Sequence, residues 1–191
     1  VSLQQDANSA PQPKAKPEAG AAAQAAYDPL TERGRIDSAA IELRGRIRRS
    51  GNLEGLRQQL ADLAIRSAAG AGRALAIGNA ALFDAYRLQF REHFPTQRWR
   101  LAQMAQRGSG PAAFALGVVA LHGVFEPPGV EAACRHFETA VARGYGDAKF
   151  RLSQCVAKAD SVRAAVLMRE AADAGHPAAA ERVGRDCLEA K

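Results

Sequence analysis

Apolar residues recur three and four positions apart along most of this chain, the period of a helix that turns one face to a core. Leu101, Met104 and Ala105 mark one such stripe, Ala133, Phe137, Ala140 and Val141 a second, and Ala164, Met168, Ala171 and Ala172 a third. Each stripe runs into a glycine (Gly108, Gly144, Gly175) placed to supply the left-handed residue that ends a helix. After each glycine a further apolar set begins, and Gly108–Gly117, Gly144–Ser153 and Gly175–Gly184 align without gaps. The shared pattern is Gly, then Ala four residues later, Leu or Val eight later and Gly or Ser nine later, with units 36 and then 31 residues apart. A weaker copy lies upstream, where Leu56, Leu60, Leu63 and Ala64 lead to Ser67 and Ala71, Leu75 and Ala76 follow at the same offsets.

Each unit therefore reads as a pair of antiparallel helices. The first carries Ala-x-x-x-Leu-Gly, whose small residue admits a close neighbour, and the second carries the large apolar residue and the Ala pair. One pair cannot bury its own apolar face, so stacking is required. Upstream, Ile36, Ala40, Leu43 and Ile47 predict a basic amphipathic first helix, and Asn52 is placed to cap a second through Leu53, Leu56, Leu60 and Leu63. A third is expected from about Ala71 to Phe94, ended by Pro95, and Thr96 opens the helix of Trp99 and Leu101. A closing helix is expected over Ala178–Glu189. The organisation follows as a tail over 1–27, an N-terminal helical hairpin over 28–67, and a repeat array with its closing helix over 68–191.

The motif Ala-x-x-x-Leu-Gly followed by Ala-x-x-x-aromatic-x-x-Ala-Ala-x-x-Gly resembles the Sel-one-like repeat family, relatives of the tetratricopeptide repeats. The resemblance covers about Leu56 to Leu188 and is strongest from Gly108 onward. Ala120, Val156 and Cys187 stand where the family has Tyr, and the family's Gly-x-Gly-Val loop is altered to the segment from His122 to Gly129 and, in the next unit, to Lys158-Ala-Asp-Ser. The resemblance implies an all-α fold, a short right-handed α-solenoid of antiparallel helix pairs. It also implies a scaffold for envelope assembly, secretion or polysaccharide export, or an immunity protein that neutralises a toxin in the periplasm. Some relatives are associated with β-lactams, but the chain has no Ser-x-x-Lys with Lys-Thr-Gly.

Composition narrows this further. Hydrophobic residues make up 47 % of the chain, much of it Ala, while aromatics are only 6 %, which disfavours an all-β fold. No apolar run reaches the roughly 20 residues of a membrane span. The net charge of +6, carried almost wholly by Arg, is too mild and scattered to argue for nucleic acid. Residues 1–27 hold Pro11, Pro13 and Pro17 with much Ala and Gln, a segment expected to be disordered by itself and either to link the protein to something or to order against a partner. Val1 in place of Met fits a processed envelope protein of a bacterium, or equally a shortened chain; a cytoplasmic location stays open.

No phosphate loop, dinucleotide glycine motif or nucleophile elbow is present, so neither catalysis nor a cofactor is expected. Cys134 and His136 sit two apart on a helix and point to different sides, which argues against a shared metal. Cys134 lies ten residues before Gly144 and Cys155 eleven after it, so a hairpin turning there sets them face to face, as a disulfide or as two small buried thiols. Cys187 and Trp99 are expected in the core, and the arginines of the 44–49 run on a solvated helix face. The leading function is a non-catalytic module that holds another protein on a concave face. Repeat-equivalent positions of the first helices would line that face: Phe114, Phe150 and Glu181; Val118, Gln154 and Arg185; His122, Lys158 and Glu189. Phe114 and Phe150 are then either binding anchors with Gln154, Lys158 and Arg185 as rim, or filling between stacked helices.

Overall fold

The computed structural model describes residues 29–49, 53–123 and 128–189. Among the described residues there are nine α-helices and no strand: α1 Pro29–Arg49, α2 Leu53–Ala76, α3 Ala80–His93, α4 Gln97–Gln106, α5 Gly110–Leu121, α6 Val130–Ala142, α7 Asp147–Val156, α8 Ser161–Asp173 and α9 Pro177–Glu189. The described residues are all-helical, as the periodicity predicts, and helices adjacent in sequence pack as neighbours except α3 and α4, which instead both pack on α2. The expected tail over 1–27 and the Asn52 cap fall outside the described residues.

The turns lie where local chemistry allows them. Gly108, Gly144 and Gly175 have φ of +99°, +79° and +84°, the region that glycine enters without Cβ strain. Ser109 and Asp160 cap α5 and α8 by accepting from the Ala112 and Arg163 amides at 3.3 and 2.8 Å. The upstream turn departs from expectation. No break occurs at Ser67: α2 runs through it for 24 residues, and the chain turns at Gly78, φ +70°. Asn79 then caps α3 by accepting from the Leu82 amide at 2.9 Å. The expected divide between 67 and 68 therefore falls inside one helix, and the third helix starts at Ala80 rather than near Ala71.

The core is continuous from α1 to α8, with Ile36, Ala40, Leu60, Tyr86, Phe94, Leu101, Phe137 and Leu152 buried in it. Its packing rests on aromatic rings seated on small residues. A Cβ at Gly70 would lie 2.8 Å from the Tyr86 hydroxyl, and one at Gly117 would lie 2.6 Å from Phe137 Cδ1. Ser153, the counterpart of Gly117, is likewise buried. Gly184, the third counterpart, meets nothing within 4 Å, because no described helix follows α9.

Candidate functional site

Part of the surface expected to hold a partner is covered by the chain itself. The second half of α2 lies along α5, with Gly72 against the Phe114 ring, where a Cβ would come within 3.1 Å. Phe114 and Val118 are 3 % exposed and belong to the main core. Phe114 packs against Phe137 and Tyr145 at ring-centroid distances of 5.7 and 5.1 Å. Arg151 of α7 fastens the arrangement by donating to the Gly72 carbonyl at 2.9 Å, and burial pushes its guanidinium down to about 10. Phe150 is buried too, stacked on His176 at 4.4 Å. Neither Phe is therefore an exposed anchor: both fill space between helices, and the length of α2 is the reason for Phe114.

The remaining expected residues are half-buried or exposed. His122 is half-buried with its ring edge-on to Phe83 at 4.6 Å, and burial, reinforced by Arg151 and Arg87, pushes it down to about 4. Gln154 is exposed and accepts from Arg151 at 3.0 Å. Lys158 is exposed at the end of α7, and Arg185 pairs with Glu181 on α9.

A different site stands out at the N-terminal end, in a groove of about 500 Å³ between α1, α2 and the α3–α4 junction. From α1 come Arg44, Ile47 and Arg48, and from α2, which lies between the walls, Arg57 and Leu60. The α3–α4 corner supplies His93, Gln97, Trp99 and Arg100. Four of the lining residues are arginines and none is a carboxylate. Trp99, expected in the core, is 66 % exposed here. The cause is local: Gln97, Leu101 and Ala105 take the buried stripe of α4, and a residue two positions from Leu101 points some 200° away from it.

The four cations are not equivalent. Arg100 is held by Glu54 through two bonds of 2.7 and 3.0 Å, and that bond draws the Glu54 carboxyl below the ordinary carboxylate range. Arg44 donates to the Glu92 carbonyl and to His93 Nδ1, both at 3.3 Å through one nitrogen. Arg48 has no partner among the described residues, Arg57 lies near enough to Glu54 to help lower its carboxyl, and both line the groove. The network of interactions behind Arg44 reaches deep into the fold: His93 Nε2 lies 3.2 Å from Asp37 Oδ1, which also accepts from Gln89 Nε2 at 2.7 Å. The Ser67 hydroxyl in turn donates to Gln89 Oε1 at 2.8 Å. Ser67, Gln89 and His93 are all buried, so this chain of bonds from α1, α2 and α3 fixes the groove wall from behind. The sequence reading missed it. The signal available was three polar residues at otherwise apolar helix positions, Ser67, Gln89 and His93.

Gln97 completes the site. It is 5 % exposed; its Nε2 donates to Thr96 Oγ1 at 3.3 Å, while its Oε1 is buried with no hydrogen-bond partner.

Cys134 and Cys155 form a disulfide between α6 and α7, with Cα atoms 5.8 Å apart, resolving the two open alternatives for that pair. Cys187, expected in the core, is a free, exposed thiol, because its side of α9 receives no described neighbour. Among the described residues no three His, Cys, Asp or Glu side chains gather to hold a metal ion, and no helix is long and apolar enough to cross a membrane. Comparison of the chain with family models, curated proteins and solved structures gives no match.

Proposed function

We propose that this protein is a non-catalytic interaction module that binds another protein through the arginine groove beside Trp99, with α5 to α9 stacked as a short right-handed solenoid of the Sel-one-like kind. The observation that carries the reading is the groove's lining: four arginines, Arg48 among them without a described partner, next to an exposed indole and with no carboxylate in the lining. Trp and Arg are the side chains that most often anchor a protein partner, and a cationic wall left uncompensated favours an anionic one. The Cys134–Cys155 bond supports an oxidising compartment such as the periplasm or cell envelope. A toxin held by an immunity protein is one partner of this kind. The arrangement gives little support to an enzyme. Ser67, Asp37 and His93 share one hydrogen-bonded chain, but the Ser67 hydroxyl is fully buried and donates to Gln89 rather than to the imidazole.

Co-purification from native cell extract, comparing the wild type with Arg48→Glu/Arg57→Glu, tests the reading. A partner retained by the wild type and lost by the charge-reversed protein is expected. A partner held equally by both would move the interaction surface elsewhere, and the absence of any specific partner would remove the reading.

A further inference from the structure

We propose that the groove takes an extended acidic segment of the partner, with carboxylates two residues apart on Arg44 and Arg48 and the residue between them on Trp99. The inference rests on the interaction reading above and adds its chemistry and register. Arg44 and Arg48 are four apart on α1 and line the same groove, so their Cβ atoms are about 5 to 6 Å apart. An extended chain returns its side chains to one side every two residues, roughly 6.6 Å. Two carboxylates separated by one residue therefore match the two guanidiniums, Arg48 with its whole planar fork and Arg44 with the part of its fork that the protein leaves open. Arg44 uses one terminal nitrogen on His93 and Glu92, which leaves its second terminal nitrogen for the ligand.

The intervening side chain of such a segment points to the other wall, where α4 carries the exposed indole of Trp99. An apolar residue there gains contact with the ring. Gln97 supplies the remaining specification. Its buried Oε1 is an acceptor without a donor, and an extended segment brings main-chain N–H groups that no charged side chain satisfies. Arg57 adds a third positive charge from the floor. Phosphoryl groups would also suit guanidiniums, but the disulfide supports a compartment where thiols are oxidised, away from the cytosolic nucleotide pool that feeds phosphorylation, and this favours carboxylates.

Trp99 is the only tryptophan of the chain, so its emission reports on the groove directly. The full chain is titrated with blocked peptides of sequence Gly-Glu-Leu-Glu-Gly, the isomer Gly-Glu-Glu-Leu-Gly, Gly-Lys-Leu-Lys-Gly, and the first with phosphoserine for glutamate. The first peptide is expected to shift the emission to the blue and saturate, the isomer to bind at least about fivefold more weakly, and the lysine peptide not to bind. Arg48→Glu should weaken the first peptide about tenfold or more, the factor one charged hydrogen bond carries. Gln97→Met should raise the melting temperature, because an unpartnered buried acceptor is removed, while weakening the peptide about fivefold.

Equal binding of the two glutamate isomers would overturn the register and leave the interaction reading standing. Binding of the phosphoserine peptide alone would overturn the carboxylate assignment. An unchanged peptide affinity in Gln97→Met would overturn the main-chain contact. If no anionic peptide moves the emission, the whole inference fails, and the co-purification result then shows whether the interaction reading fails with it.

Discussion

Gly117 and Gly184 occupy the same position of the aligned segments, yet alanine at the two sites should move stability in opposite directions. At Gly117 the new Cβ would lie 2.6 Å from Phe137 Cδ1 and nearer still to the adjoining ring carbon, against the 3.5 to 4.0 Å of an ordinary carbon contact. The ring must retreat by about 1 Å. It has little room: Phe137 is 1 % exposed, packs on Phe114, and belongs to a helix tied to α7 by the Cys134–Cys155 bond. Overpacking of this kind costs about 3 kcal/mol, the upper end of its usual range, and the better helix propensity of Ala returns about 1 kcal/mol. The net loss is about 2 kcal/mol, or roughly 4 to 8 °C in melting temperature for a domain of this size. At Gly184 only the propensity remains, since nothing lies within 4 Å, and a gain of about 0.5 to 1 kcal/mol follows. Thermal melting followed by far-ultraviolet circular dichroism reads both. Shifts of the same sign in the two variants would refute the reasoning, because the environment would then not be deciding the outcome.

The disulfide closes a segment with a sequence separation of 21, so Cys134→Ser/Cys155→Ser should lose about 3 kcal/mol and melt roughly 6 to 12 °C lower; an unchanged melting temperature would show that the bond constrains little. Burial, with Arg151 and Arg87 adding to it, lowers His122 from 6.5 to about 4, so below pH 6.5 the unfolded chain takes up a proton that the folded one refuses. This contribution is therefore intact above about pH 6.5 and is lost as the pH falls towards about 4; His136 and His176, lowered chiefly by burial, add slopes of the same sign. His122→Phe, which keeps a ring against Phe83, should make the acid loss of stability shallower in denaturant titrations across that range, and an unaltered pH profile would count against the assignment.

What could be read from the sequence was what is decided locally. The stops at Gly108, Gly144 and Gly175 need a left-handed residue, and only glycine supplies it cheaply, so the residue type itself marks the turn. Gly78 and Asn79 carried the same kind of signal, but the repeat offset around Ser67 set a competing register, and nothing in a run of small residues ends a helix. Trp99 failed for a different reason. An isolated large apolar residue suggests a core, whereas the buried stripe of α4 was already filled by Gln97, Leu101 and Ala105, two of them small or polar. The fate of Phe114 was not local at all. It depends on which distant element lies over α5, and that element is the second half of α2, some forty residues upstream.

The continuity of α2 connects the two results that the sequence did not announce. Its first half, through Arg57 and Leu60, floors the arginine groove, and its second half, through Gly70 and Gly72, receives Tyr86 and Phe114. A helix turning at Ser67 would have reversed before reaching α5, leaving Phe114 and Val118 open to solvent on the face where a partner was expected. Ser67 instead sits at mid-helix, where its hydroxyl holds Gln89, and Gln89 holds the Asp37 carboxylate that faces His93. Because His93 meets Arg44 on its other ring nitrogen, the residue that fails to end α2 also orders a cation of the groove. Covering one surface and shaping the other are thus consequences of the same uninterrupted backbone, which closes the face of α5 over Phe114 and floors the open groove at the N-terminal end.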